Sequence, residues 1–250
     1  RSFKNDSNNN KRKHQRPRYT TNLFLMKKIL IPILFFGHML SAQTGLWLDA
    51  GITKKWNKSF KTSFEIGERQ NLGVGFDRLY IDFGPSLQVI DGIKLVGAYR
   101  LVSNEKGDQF VLQADRLSQR FQIGADFSIL DAFDIGPKRM ELTWSSIQQW
   151  SIQTGKQTSS IWRNKLSLSY DIKNFPLSPQ LSAEHFYRWN ANTVSTPTGI
   201  IVSGATVQWR YFVGFGVELP KKQSLKFQFG LRERSSGIQP LIRASYGIQI

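Results

Sequence analysis

The chain reads as an all-β protein, and its pattern predicts an antiparallel transmembrane β-barrel behind a signal peptide, with about twelve strands and ten as the smaller count it allows. Three observations predict this. Apolar residues recur at every second position along most of the 250 residues, which is the period of a strand and not of a helix. Aromatic residues make up 13% of the composition and collect on the apolar register and near strand ends, where a membrane interface would hold them. The final strand closes on Tyr246, Ile248 and Ile250, as an outer-membrane insertion signal would.

The N-terminal region is set apart by its charge. Formal net charge is +16, but residues 1–42 carry nine of the basic residues and a single acid, so the remainder is only +8. Met26-Lys27-Lys28, the apolar run Ile29 to Leu40 and then Ser41-Ala42-Gln43 form the three parts of a secretory signal. The run is too short to span a bilayer, which needs about 20 residues. Pro32 and Gly37 interrupt it, which disfavours the alternative of a buried helix. We therefore expect residues 26–42 to be a signal peptide and 43–250 a single barrel domain. Residues 1–25, with the basic tract Lys11 to Arg18, are expected to be an extension upstream of the true start at Met26 or a disordered segment.

Strands follow in order. Phe60, Thr62, Phe64 and Ile66 share one face, with Lys61, Glu65, Gly67 and Arg69 on the other. Leu79, Ile81 and Phe83 oppose Arg78, Tyr80 and Asp82. Leu95 to Leu101 opposes Lys94, Ala98 and Arg100, and Phe121 to Ile129 opposes Arg120, Gln122 and Asp126. Further on, Trp162, Leu166, Leu168 and Tyr170 alternate with Arg163, Lys165 and Asp171. Leu181, Ala183, His185, Tyr187 and Trp189 fall on one register and Glu184 on the other. Val207 to Leu219 alternates with Arg210, Phe212 and Glu218, and Leu225 to Leu231 with Lys226 and Arg232. The last strand sets Ile242 to Ile250 against Arg243. Asp91-Gly92 is a two-residue hairpin signal, while Pro176 with Pro179, and Pro220-Lys221-Lys222, read as connectors. Longer polar stretches, among them Asn71 to Asp77, Asn190 to Gly199 and Ser235 to Pro240, read as loops. Phe110 to Asp115 is either a strand or part of a loop, and the even strand number of bacterial barrels favours twelve.

Alternation does not say which face meets water, because a secreted soluble β-sandwich has the same period. Trp47, Trp56, Trp162 and Trp189 near strand ends suit an interfacial girdle, and charges of both signs on the opposite face suit an enclosed interior. The greasy face is therefore expected to meet lipid.

Function classes narrow by chemistry. With no Cys there is no disulfide scaffold, thiolate metal site or cysteine nucleophile. The only histidine after residue 42 is His185, whose same-face neighbours Ala183 and Tyr187 supply neither the nucleophile nor the orienting group of a hydrolase. A lipid-modifying enzyme of the outer membrane would need both from adjacent strands. Scattered acids with one histidine make no metal set, and Gly73-Val74-Gly75 lacks the Lys-Ser/Thr of a phosphate loop. Basic residues interleaved with acids argue against nucleic acid. No cofactor is expected.

Several short motifs carry a resemblance: Trp47 opening the first strand, Glu65 to Arg69, Phe76-Asp77-Arg78, Gly97 to Arg100, and Leu181 to Phe186. Through them most of residues 45 to 250 resembles the uncharacterised outer-membrane β-barrels of Bacteroidetes-type bacteria, a domain-of-unknown-function family. Glu141 to Gln149 departs from that pattern in lacking its arginines. The resemblance implies location and fold and carries no activity. The expected partners are outer-membrane lipid and lipopolysaccharide, with the barrel assembly machinery during insertion.

The inward register is the candidate site. It holds Glu65, Arg69, Arg78, Asp82, Arg100, Glu184, Arg188, Arg210, Glu218 and Arg232, with Arg120, Arg163, Lys165 and Arg243 among the further cations. Paired, these residues make a salt-bridged scaffold; with a water path, their positive excess would favour anions. Glu65 with Arg69 and Glu184 with Arg188 share a face, but four residues along a strand span about 13 Å. Partners on neighbouring strands are expected to matter more.

Overall fold

The computed structural model describes residues 44–107, 117–133, 136–137, 139–196 and 199–250. The expectations for residues 1–25, for the signal at 26–42 and for Phe110 to Asp115 lie outside them. All described elements fall within the unit Ser41–Ile250.

Eleven strands follow one another: β1 (Gly45–Lys55), β2 (Phe60–Asn71), β3 (Gly75–Ile90), β4 (Ile93–Gly107), β5 (Leu117–Ser128), β6 (Met140–Gln153), β7 (Ser159–Tyr170), β8 (Leu177–Thr196), β9 (Gly199–Leu219), β10 (Gln223–Arg234) and β11 (Gly237–Gln249). One helical turn, α1 (Ile129–Phe133), lies between β5 and β6. Each strand pairs antiparallel with its successor, and the sheet closes into a barrel where β1 meets β11. That last pairing is parallel, from Gly45 opposite Leu241 to Thr53 opposite Gln249. The expectation of twelve assumed an even count, which returns both chain ends to one side. The described residues form eleven, because a parallel seam lets β1 start at one end of the barrel and β11 finish at the other.

Turn chemistry explains the tight connections. Gly92 takes a φ of 77° in the two-residue β3–β4 turn, and a Cβ there would sit 2.6 Å from that of Ala132 in α1. Between β9 and β10, Lys221 and Lys222 both adopt left-handed backbone, at φ 61° and 57°, as the right-handed twist of a short hairpin demands. Several stretches read from the sequence as connectors or loops are strand in part, Ser235 to Pro240 because β11 already begins at Gly237. Pro179 lies inside β8 opposite Phe215, and the polar stretch from Asn190 continues β8 to Thr196 before β9 begins at Gly199. Backbone ladder bonds carry this hairpin where no apolar register marks it, so periodicity could not reveal it.

Two registers result. Phe64, Phe83, Ile123, Leu181 and Val213 are exposed to between 48% and 61%. Trp47, Tyr80, Val102, Phe186, Phe212 and Leu241 are exposed by 5% or less. Trp47 is thus not part of an outer girdle. Its register is that of Asp49, which is also buried, and strand alternation places both inside the barrel.

Candidate functional site

The interior is organised by two buried carboxylates and by the rings that stack between their arginines. Asp49 of β1 accepts hydrogen bonds from Arg243 Nε at 2.7 Å and Ser245 Oγ at 3.3 Å on β11, and from the Tyr80 hydroxyl of β3. The same hydroxyl lies 2.6 Å from Glu65 Oε1 on β2. One phenolic proton serves one acceptor at a time, so Asp49 and Glu65 share Tyr80. Tyr80 reaches β1 because Gly67 lies between them in register, opposite both Asp49 and Tyr80. A Cβ at Gly67 would stand 2.3 Å from Tyr80 Cζ, closer than any side chain tolerates. The same device recurs at Gly230, where a Cβ would meet the Phe212 ring at 2.5 Å.

Across the barrel, Glu184 of β8 accepts from Arg163 Nη2 of β7 at 2.8 Å and from Arg210 Nη1 of β9 at 3.3 Å. Its side chain is only 2% exposed. A carboxylate stripped of water requires such charge-assisted partners.

Between these two centres runs a continuous stack of guanidiniums and rings. Arg100 lies over Tyr80 at 4.0 Å, and Arg69 over the same ring at 5.3 Å. Arg69 then covers Trp47 at 4.2 Å, which Arg210 approaches at 5.0 Å. Arg210 also covers Phe186 at 4.3 Å, and Arg163 meets that ring at 5.7 Å. Each such contact contributes about 0.5–2 kcal/mol as it is desolvated. Face stacking leaves the N–H edges of a guanidinium available to acceptors. Phe212 packs on Trp47 with ring centroids 5.9 Å apart, and Leu241 completes a buried cluster with these two.

Several of the ten candidate residues come together here: Glu65 and Arg69 around Tyr80, Asp82 with Arg100, and Glu184 with Arg210. Glu184 and Glu65 bond across strands and not along them to Arg188 and Arg69. Arg78 lies 3.7 Å from Asp77, and Arg232 donates to Gln239. Arg188 joins neither centre, and its buried Nε has no partner among the described residues. Glu218 does not belong to the network. It is exposed beside the β9–β10 turn, because alternation assigns a face and says nothing of depth. Trp47, Asp49, Tyr80 and Phe186 were missed as site residues. The pairing of Trp47 with Asp49 on one register of β1 was a signal available for the first two.

Elsewhere, His185 Nε2 lies 3.0 Å from Thr206 Oγ1, and its ring is 4.4 Å from that of Trp209. Its register partners are Asn164 and Trp209. Among the described residues no group of His, Cys, Asp and Glu could hold a metal ion. A cavity of about 370 Å³ opens in the interior, lined by Lys61, Glu65, Asp82, Lys94 and small residues such as Ser63 and Gly84. Lys94 is bound there to Asp126 at 2.8 Å.

No curated protein matches the chain. Residues 44–236, nearly the whole barrel, match the family described as "Protein of unknown function (DUF2490)", and the chain belongs to that family.

Proposed function

We propose that the protein is a non-enzymatic outer-membrane β-barrel with a positively charged interior, closed across its middle by the arginine–aromatic stack, and that it serves as a scaffold and not as an open pore. The observation that carries this reading is the exposure of the apolar register. Phe64, Phe83, Ile123, Leu181 and Val213 all project outward from a closed barrel whose inner face holds Asp49, Glu184 and their arginines. In water that outer surface would cost roughly 25 cal/mol for each Å²; in lipid it costs nothing. Strand length supports the same reading. The shortest of the eleven strands has 11 residues, and a tilted membrane strand needs about 9–11.

In this reading the outer face meets outer-membrane lipid and lipopolysaccharide, and the assembly machinery acts on the barrel during insertion. The buried rings of Trp47, Tyr80, Phe186 and Phe212 support the closed reading, since large inward side chains occupy the space a water path would need. The test is fractionation followed by electrophoresis with and without boiling. Protein in the outer-membrane fraction that migrates faster unboiled, and gives no steady current in planar bilayers, is the expected result. Recovery in the soluble fraction would overturn the membrane reading, and a steady anion-selective current would replace the scaffold with a pore.

A further inference from the structure

Three pairs of arginines face each other directly across neighbouring strands: Arg69 with Arg78, Arg100 with Arg120, and Arg210 with Arg232. Like charges directly opposite each other destabilise a sheet, and enclosure makes the repulsion stronger than in water. The carboxylates nearby are already engaged. Asp82 is held by Arg100, half-exposed Asp77 lies 3.7 Å from Arg78, and Glu184 is held by Arg163 and Arg210, which leaves Arg69 and Arg120 without an ion pair among the described residues. Arg120 donates from Nε to Ser151 Oγ at 3.1 Å and forms no ion pair with a carboxylate among the described residues, while its register partner is the guanidinium-bearing Arg100. The Nε atoms of Arg69 and Arg78 are buried without a hydrogen-bond partner among the described residues, although Arg78 Nε lies 3.7 Å from Asp77.

Position adds a path. Arg232 and Arg234 lie near the end of β10 and Arg78 near the start of β3, both at the barrel end where β1 begins, so positive groups extend toward that mouth. Such a lining concentrates anions from the adjoining water.

We propose that Arg69, Arg78, Arg100 and Arg120 form a binding site for a multiply charged oxyanion, one carrying two phosphate or carboxylate groups, that enters from the aqueous mouth of the barrel. Planar guanidinium edges match both groups in bidentate fashion. A ligand with two such groups would answer both opposed pairs, Arg69 with Arg78 and Arg100 with Arg120. The site deepens the function proposed above and rests on its closed, positively charged interior.

The test uses the full chain folded in detergent and titrated calorimetrically with inorganic pyrophosphate at constant ionic strength. Saturable binding is expected, together with a rise in the temperature at which the fast-migrating form is lost. Arg120→Gln should weaken binding about tenfold or more, and should raise that transition temperature in the absence of pyrophosphate, because it removes a like charge that pairs with no carboxylate among the described residues. If Arg120→Gln fails to fold, Arg78→Gln, nearer the mouth, carries the same expectations. No saturable binding at millimolar pyrophosphate, or equal binding by the wild type and the arginine variants, would overturn the site. Displacement of pyrophosphate by phosphatidylglycerol vesicles would assign the arginines to a lipid headgroup and overturn the aqueous source. Heat-modifiable migration of the same samples reports on the barrel separately. An intact barrel that binds nothing sinks the site alone, while a chain that never shows the fast form sinks the barrel reading.

Discussion

The two buried carboxylates invite comparison, since both are inward-facing acids bound by arginine, yet they do different work. Glu184 is held by guanidiniums from the strands on either side of it, Arg163 on β7 and Arg210 on β9. Its neighbours are antiparallel hairpin partners, with Lys165 of β7 and Arg210 of β9 directly opposite it in register. Asp49 instead gathers groups from β11 and, over the top of β2, from β3. One of those connections crosses the parallel seam that no hairpin closes. Glu184 therefore neutralises charge where the sheet is already secured by sequence-local pairing. Asp49 contributes its bonds where chain connectivity provides nothing. A buried acid is thus defined less by its own burial than by which strands its partners come from.

The largest effect should come from breaking the more charged of the two centres. Glu184→Gln keeps the side-chain shape but leaves Arg163 and Arg210 facing each other without a counter-charge. Removing one partner from a buried ion pair costs about 3–5 kcal/mol. Denaturant unfolding in detergent should show that loss, and a loss below about 1 kcal/mol would mean that water or another acid reaches the site.

The seam side can be broken without touching any charge. Gly67→Ala places a methyl group where the Tyr80 ring lies, so the ring must leave Asp49 or the strands must part. Overpacking of this kind costs about 1–3 kcal/mol. Because Tyr80 also carries Arg69 and Arg100 on its ring, the near-ultraviolet dichroism should change as well. An unchanged spectrum with unchanged stability would show that the ring does not bridge β3 to β1.

The smallest effect sharpens the comparison from outside it. Glu218 lies on the inward register but near the barrel end, exposed. Glu218→Gln should alter stability by less than about 0.5 kcal/mol. A loss approaching that of Glu184→Gln would return this residue to the charge network.

Much of this was legible beforehand. Leu79, Ile81 and Phe83 against Arg78, Tyr80 and Asp82 assigned both faces of β3 correctly, because a pleated strand turns every second side chain to the same side. The same rule placed Arg210 and Phe212 together on β9. Residue type misled where it overrode register: Trp47 was read as interfacial because it is a tryptophan near a strand end, though Asp49 two residues on shares its face. The long β8–β9 hairpin was invisible for the opposite reason. The sequence from Asn190 to Thr196 does not alternate apolar with polar residues, so its strand character shows only in the backbone pairing with β9.

What the sequence determined by itself is the period, and through it the all-β class, the tightest turn at Asp91-Gly92 and the division of most strands into a greasy and a charged row. Those follow from local geometry, which one strand possesses alone. Tertiary structure decided which charge meets which ring, that eleven strands close through a parallel seam, and that Glu184 answers Arg163 and Arg210 and not Arg188. Closure and register are relations between segments far apart in the chain. Shifting a strand by two residues leaves its alternation intact but gives every side chain a new neighbour.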